Sequence, residues 1–520
     1  PPGWQGSTPA QPQPRGRRRG IVIGVAGVVA VGLIVGAGVF AWSKLSGGGP
    51  QPAEAVPSDA MAYVRLDLDP SADQKLSAMS LLRKLPDFED ATGISDDDVD
   101  LRELFVDEVL SSSGCDVTYD DDIEPWIGDR LGFALVAGDE PTPMLAVQVS
   151  DQDEAEAGAK KIAECAGNVG VPSITQADPS TTDDVSYSSD DTASLGVAFS
   201  GDYMIVAPTQ DSAEELAADA DDDPLAASKK FSSDMDALDG EGFASAWMDG
   251  ETLADVADEI GASDTDVSAV GSGAVALRAG DDYLELVGTI DSEAGDGAQA
   301  DVGGLPESTL FAASISGGGP LVENSWDQFQ SSVATMGPDL HYMLTDIQAS
   351  TGLTFPGDLA TLLGEQITVG IDSEGLGPDA DPSSLADLDL GVRMKSDPAE
   401  LTPVVDKLTS SLSSAMGPDA ADDLYSQETD NGMVVATNED YASKLTDGGG
   451  GLGGSDAYQN AVPDGDDAVN VVYVNFDELA KVAPEDDEDT AQMLDPIEAF
   501  GLSTKIDDGR TFATARLTFD

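Results

Sequence analysis

The apolar and polar positions divide the chain into one unbroken run and a long punctuated remainder. From Ile21 to Trp42 no residue carries a charge. As a helix these 22 residues rise about 33 Å, enough to cross a hydrocarbon core of about 30 Å. Beyond that run the chain alternates. Its closing stretch sets Ala513, Ala515, Leu517 and Phe519 on one side and Thr514, Arg516 and Thr518 on the other, the period of two of a half-buried strand. "SDQDEAEAGAKKIAECAG" (150–167) and "SDPAELTPVVDKLTSSL" (396–412) read instead as helices opened by Ser or Asp caps, each directly after a strand. Helices leaving one face of a mainly antiparallel sheet predict an α+β class.

The apolar run reads as an uncleaved signal anchor. A cleavable signal has a shorter core, roughly 7–15 residues, and a small-residue site after it; here the run ends "FAWSKLS". Arg15, Arg17, Arg18 and Arg19 precede it and Lys44 follows, so residues 1–20 are expected to stay cytoplasmic as a disordered Pro-rich tail. Everything beyond a linker at 43–55 is then extracellular. The chain begins "PPGWQ" without a methionine, so its native start is expected upstream. Gly20, Gly24, Gly32 and Gly36 have the spacing that lets two membrane helices pack as a weak dimer. Glycine is common in membrane helices, and that ordinary use is the preferred reading.

The exported region repeats itself. "GDYMIVAPTQDSAEELA" (201–217) aligns with "DNGMVVATNEDYASKLT" (430–446), placing Met204 on Met433 at an offset of 433 − 204 = 229. "FASAWMDGETLADVA" (243–257) matches "VNVVYVNFDELAKVA" (469–483), and "YLELVGTID" (283–291) matches "FATARLTFD" (512–520). Upstream, "VPSDAMAYVRL" (56–66) and "IGDRLGFAL" (127–135) resemble "LPESTLFAASI" (305–315) and "LGEQITVGI" (363–371) in the same order. These blocks predict two duplicated domains, 56–292 and 305–520, joined by a linker at 293–304. "DGGGGLGG" (447–454) differs from "ADADDDPL" at the matching place and is expected to be a variable surface loop.

The arginine-flanked anchor, "VPSDAMAYVRLDLDP" (56–70) and "LRKLP" (82–86) resemble the domain of unknown function 3352 family of envelope proteins from high-GC Gram-positive bacteria. The resemblance implies a single-pass envelope protein and transfers no catalytic residue.

Charge narrows the function. All 99 acidic residues and 19 of the 24 basic ones follow Lys44, so the exported part carries 19 − 99 = −80. That excludes nucleic acid as a partner and repels anionic head groups. Cys115 and Cys165, the two cysteines, are expected to form a structural disulfide in an oxidising compartment. His341 is the single histidine, so His-pair zinc sites are excluded, and a Ser–His–Asp triad would rest on His341 alone, whose setting in "GPDLHYMLTDIQ" is preferred as a solvated or capping position on a helix. No Gly-Lys dipeptide offers a P-loop. The acidic clusters 95–100, 119–124 and 219–224 lack the EF-hand pattern. Asp120, Asp121 and Asp122 are the metal candidates, against a preferred reading as a solvated face.

No catalytic residue and no cofactor is assigned. The expectation is a non-enzymatic binding or scaffolding protein of the envelope, held in the bilayer by 21–42, with an envelope protein or polymer as partner. The alternatives are a carboxylate-dependent hydrolase of cell-wall polymer and a carrier with an apolar groove for lipid or a small ligand.

A net charge of −80 predicts a salt response: carboxylate self-repulsion opposes compaction, and salt screens it over a Debye length near 10 Å at 0.1 M. The thermal unfolding midpoint should rise as sodium chloride is added, with sodium and calcium acting alike at matched ionic strength. A saturable calcium shift abolished by replacing Asp120, Asp121 and Asp122 would overturn the solvated-face reading.

Overall fold

The computed structural model describes residues 51–68, 117–138, 141–169, 174–175, 195–259, 271–291, 297–336, 338–376, 388–416, 424–448, 450–482 and 494–520, with isolated positions between 77 and 106. The anchor at 21–42, the acidic run at 95–100 and Cys115 lie outside the described residues, as does the Cys165 side chain. Among the described residues no helix is long and apolar enough to cross a membrane. The chain forms two compact units, one within 49–68 and 101–226, the other within 69–100 and 227–520.

The first unit holds β1 (Ala60–Asp67), β2 (Ile127–Val136), β3 (Thr142–Val149), β4 (Ile174–Thr175), β5 (Leu195–Ser200) and β6 (Tyr203–Ala207). They pair β1–β2–β3–β6–β5 in antiparallel fashion, and the short β4 runs parallel to β5. Trp126, Leu131, Val147, Met204 and Ala155 meet in one core, with Ala155 supplied by the helix Gln152–Val169. A buried ionic group joins this sheet: Asp67 accepts from Arg65 at 2.9 Å and from Arg130 at 3.4 Å. All three residues are buried. Removing one member of such a group strands the other charges in low dielectric.

The second unit contains β7 (Ala244–Asp249), β8 (Ser272–Ala279), β9 (Tyr283–Asp291), β10 (Thr309–Ser316), β11 (Gln366–Asp372), β12 (Leu390–Lys395), β13 (Tyr425–Thr429), β14 (Gly432–Ala436), β15 (Asn470–Asn475), β16 (Ile497–Asp507) and β17 (Arg510–Phe519). The order is β7–β8–β9–β17–β16–β15–β10–β11–β12–β14–β13, antiparallel throughout. Its main core gathers Leu305, Ala312, Val434, Tyr441, Leu445, Leu452 and Tyr473. Both cores are built from residues beyond Gln51.

One order of strand pairing occurs twice. The ladder β1–β2–β3–β6–β5 recurs as β10–β11–β12–β14–β13, and the meander β7–β8–β9 recurs as β15–β16–β17. Met204 faces Val147, and Met433 faces Met394, the same place in each ladder. Met204, Met433, Trp247 and Tyr473 are all buried, as the repeat requires. Compactness divides the chain elsewhere. β9 pairs with β17 from Tyr283–Thr518 to Asp291–Arg510, which joins the last strands of the first repeat to the second unit. The similarity boundary near 292 and the compact boundary near 226 therefore answer different questions.

"DGGGGLGG" is a surface loop with one anchor: Asp447, Gly448, Gly451 and Gly454 are exposed, but Leu452 is fully buried, and a Cβ on Gly450 would stand 2.3 Å from the Leu305 backbone. Its bridge Pro306–Gly451 has a counterpart in Pro57–Pro224 of the first repeat. The glycines buy close approach, not variability. Two local expectations change. Within the linker stretches, Ala53, Ala55 and Val302 are buried, because apolar residues there can reach an adjacent core. The helix caps on "TQDS" and "NEDY" are Thr209 and Asn438, leaving Asp211 and Asp440 in the first turn. Asp151 and Asp397 do accept from the helix starts that follow them, as expected.

The β16–β17 hairpin is tied down by Asp234, which is fully buried and accepts from Trp247 Nε1 at 2.8 Å and Arg510 at 2.7 Å. Asp234→Ala should destabilise the second unit by about 3–5 kcal/mol, since it leaves a buried donor and a guanidinium without their acceptor. Urea unfolding followed by Trp fluorescence measures it; a loss under about 1 kcal/mol would show the tie to be dispensable.

Candidate binding face

β17 alternates as its sequence predicts, but the burial is reversed. Thr514 and Thr518 are buried, whereas Ala513, Ala515 and Leu517 remain half-exposed; of the apolar set Phe519, at the strand end, is buried. An ordinary half-buried strand turns its apolar set inward. The same reversal recurs at three further places in the second unit. Ser314 is buried beside exposed Ile315, Ser503 beside exposed Leu502, and Glu285 beside exposed Leu286. Two inward pairs are satisfied from within the sheet: Ser314 and Thr368 share a hydrogen bond at 3.0 Å, and Arg516 donates to Glu285 at 3.0 Å, whereas the buried hydroxyls of Ser245, Thr289 and Thr309 have no hydrogen-bond partner among the described residues.

The outward side is therefore a continuous apolar surface. One cross-strand row runs Ile371–Phe311–Val474–Phe500–Leu517–Leu284, over β11, β10, β15, β16, β17 and β9. The next runs Ala313–Val472–Leu502–Ala515–Leu286–Leu277, from β10 to β8. Neither row contains a polar or charged side chain. Ile315, Leu286 and Leu502 are 45%, 44% and 36% exposed, well beyond what a covered sheet face shows. Beyond β10 the same face is closed. Met394 and Met433 pack there with Leu401 and Val405 from the helix Pro398–Met416, against half-buried Ile367, Val392 and Val435. At the other boundary, the helix Phe476–Val482 lies against β10 and β16.

The opposite face carries a charged centre. Asp372 ends β11, Glu374 follows it and Asp389 precedes β12; one carboxylate oxygen from each lies within 4.8 Å of the others. A glycine pair makes this possible. Gly370 faces Gly391, and Cβ atoms there would meet the Tyr441 hydroxyl at 2.8 Å and Leu445 at 2.4 Å, so the helix Glu439–Asp447 lies flush on the strands. Lys444 of that helix reaches Glu374 at 3.1 Å and Asp389 at 3.6 Å. Asn438 Nδ2 donates to Asp389 at 2.8 Å. Burial raises the Asp372 carboxyl above its usual value, although the Glu374 N–H and the Ser308 hydroxyl pull it back. Burial alone would lower Lys444, but Glu374 and Asp389 outweigh it and hold the ammonium above its usual value. The arrangement has the donor set of a cation site and holds an ammonium of the chain itself.

Sequence reasoning looked for metal ligands in an acidic run and missed these three, which a strand end and a strand start bring together from different places. The "ID-x-E" at 371–374 was the available signal. Among its described residues the first repeat has no such centre: Val136 stands where Asp372 does, and positions 441 and 444 fall at offset 229 on Ser212 and Glu215. Asp120, Asp121 and Asp122 lie on the short helix Tyr119–Asp122. Asp120 and Asp121 are exposed, and Asp122 is taken up by Lys161 and the Thr118 N–H, which hold its carboxyl below the usual value. The structure does not gather these three around a common point.

Removing the resident cation tests the centre. Lys444→Met should destabilise the second unit by ~1 kcal/mol at pH 7, a modest value because the side chain is part-exposed and screened. The deficit should shrink toward pH 3. Asp372 titrates above the ordinary 3.8, so its ionised form opposes folding, and this penalty disappears as the pH falls below that value. Calorimetry across pH checks it; a deficit that grows in acid would show the cluster to be no electrostatic unit.

The model of the family described as protein of unknown function (DUF3352) matches residues 22–382. No curated protein matches the chain. Among solved structures, crystal form III of TP0453 is similar at 9% identity and a TM-score of 0.23, covering 48% of this chain and 83% of that one. Crystal form I of TP0453 gives 8% identity and a TM-score of 0.22 over the same shares. The family match spans 382 − 22 + 1 = 361 of 520 residues, and the chain belongs to the DUF3352 family of proteins of unknown function.

Proposed function

We propose that this chain is a bitopic envelope protein with a cytoplasmic N-terminus, whose exported region is a non-enzymatic binding module using the outward apolar face of its second unit. The observation that carries this reading is the reversed burial: Ser314, Ser503 and Thr514 are buried while Ile315, Leu502 and Leu286 are exposed. An extracellular domain of −80 charge has ample polar side chains for an exposed face. Spending apolar ones there costs solubility, and such patches mark binding surfaces. The anchor at 21–42, the arginines before it and a Cys115–Cys165 disulfide belong to the same proposal, on the sequence grounds given above. The charged centre supports a structural role, because Lys444 already bridges two of its three carboxylates.

The exported region, residues 51–520, should bind the uncharged dye Nile red saturably, with a blue-shifted emission. Replacing both Leu286 and Leu502 by Asp should weaken that binding at least tenfold while the melting temperature holds, since both side chains are already exposed. Dye binding that the double variant leaves unchanged would remove the face from consideration.

A further inference from the structure

We infer that the apolar face of the second unit receives the acyl chains of bilayer lipid, an inference that rests on the binding-face reading above. The shape of the surface is the first ground. Phe311, Val474, Phe500, Leu517 and Leu284 cross five adjacent strands, β10, β15, β16, β17 and β9. At about 4.8 Å between strands, that row spans about 19 Å. A single leaflet contributes about 15 Å of a hydrocarbon core near 30 Å. One row therefore accommodates an acyl chain laid across the strands at full length. The parallel row through Leu502, Ala515 and Leu286 lies about 7 Å further along, two residues down each strand, and gives the second wall of a shallow track.

Charge selects among occupants. A second copy would bring another exported region of −80 against the first, and that repulsion opposes face-to-face pairing. An acyl chain carries no charge and meets none, since both rows lack charged side chains. A peptide partner would carry backbone N–H and C=O groups that this face cannot satisfy, because the ladder hydrogen bonds of these strands are already made within the sheet.

Supply is the third ground. Ser43 to Gln51 is nine residues, which reach about 30 Å when fully extended. With Trp42 at the outer interface, the first described residue, Gln51, stays within that distance of the leaflet.

The test uses the full chain in vesicles of phosphatidylcholine containing a trace of an analogue with a photoreactive diazirine near the end of one acyl chain. After irradiation, peptides are mapped by mass spectrometry. Adducts are expected on 283–291 and 497–519 in addition to the anchor 21–42. The double variant L286D/L502D should lose at least tenfold of the adducts on those strands and keep those on the anchor; L286A/L502A, which leaves the face uncharged, should retain most of them. Adducts confined to 21–42 would overturn the acyl-chain assignment, as would strand adducts that the Asp variant leaves unchanged. Crosslinks between two copies through these strands would also overturn it, in favour of self-association. If Nile red still binds the exported region and the lipid does not reach the strands, the acyl-chain inference fails alone. Loss of both removes the binding-face reading with it.

Discussion

A strand in a two-faced sheet can bury one set of alternate residues, and in the second unit that buried set includes polar residues, Glu285, Ser314, Thr368, Ser503 and Thr514, beside the apolar Ala312, Val471 and Tyr473. Polar groups turned inward are stabilised by hydrogen bonds, which explains why Ser314 meets Thr368 and why Arg516 lies on Glu285 while stacking on Tyr283 at 4.0 Å from the ring centroid. Leaving any of these alone in the interior costs more than the bond itself contributes. The apolar residues that alternate with them face outward, where they can be covered by helices, as at Met394 and Met433, or left open, as at Leu286 and Leu502.

The first repeat shares the strand order without the same outcome. β2 and β3 carry buried Leu131 and Val147 on a face packed by the helix Gln152–Val169, and the ionic group of Asp67, Arg65 and Arg130 is buried as well. In the second repeat the helix Pro398–Met416 stands in the corresponding place after β12, with Leu401 and Val405 on the strands. Both repeats thus have the ladder and the helix after it. Among the described residues the charged centre stands in one of them, at a place where the other has Val136. A glycine pair and one lysine were needed to accommodate it.

Much of the architecture was legible because periodicity depends on local chemistry. The repeat offset of 229 followed from Met204 and Met433, and the ladders place both methionines alike. Helix starts at Asp151 and Asp397 were legible for the same reason. Two things were not. Which face a strand buries depends on what packs over it, and alternation alone is symmetric under exchange of faces; β17 reads identically either way. The acidic centre was hidden because Asp372 and Asp389 are paired by the β11–β12 register, across a connection whose length carries no sign of it. The acidic runs drew attention instead, yet neighbouring carboxylates on a short helix diverge, as Asp120, Asp121 and Asp122 do.

The glycine-rich stretch 447–454 shows how the same ambiguity misleads in loops. Composition suggested a variable surface, since glycine supplies conformational freedom. Here it supplies close approach: Gly453 lies against Gly303, and Gly450 against Leu305, which lets Leu452 enter the core as Leu225 does in the first repeat. The bridges Pro57–Pro224 and Pro306–Gly451 hold these leucines at matching places with unrelated residues. One copy uses a proline after an acidic helix end, the other a run of glycines in which Gly448 and Gly451 take positive φ. What the two repeats keep is the buried leucine and the backbone bridge beside it. A contact made by backbone leaves side-chain identity free to drift, and so the most divergent stretch of the duplication is also one of its fixed points.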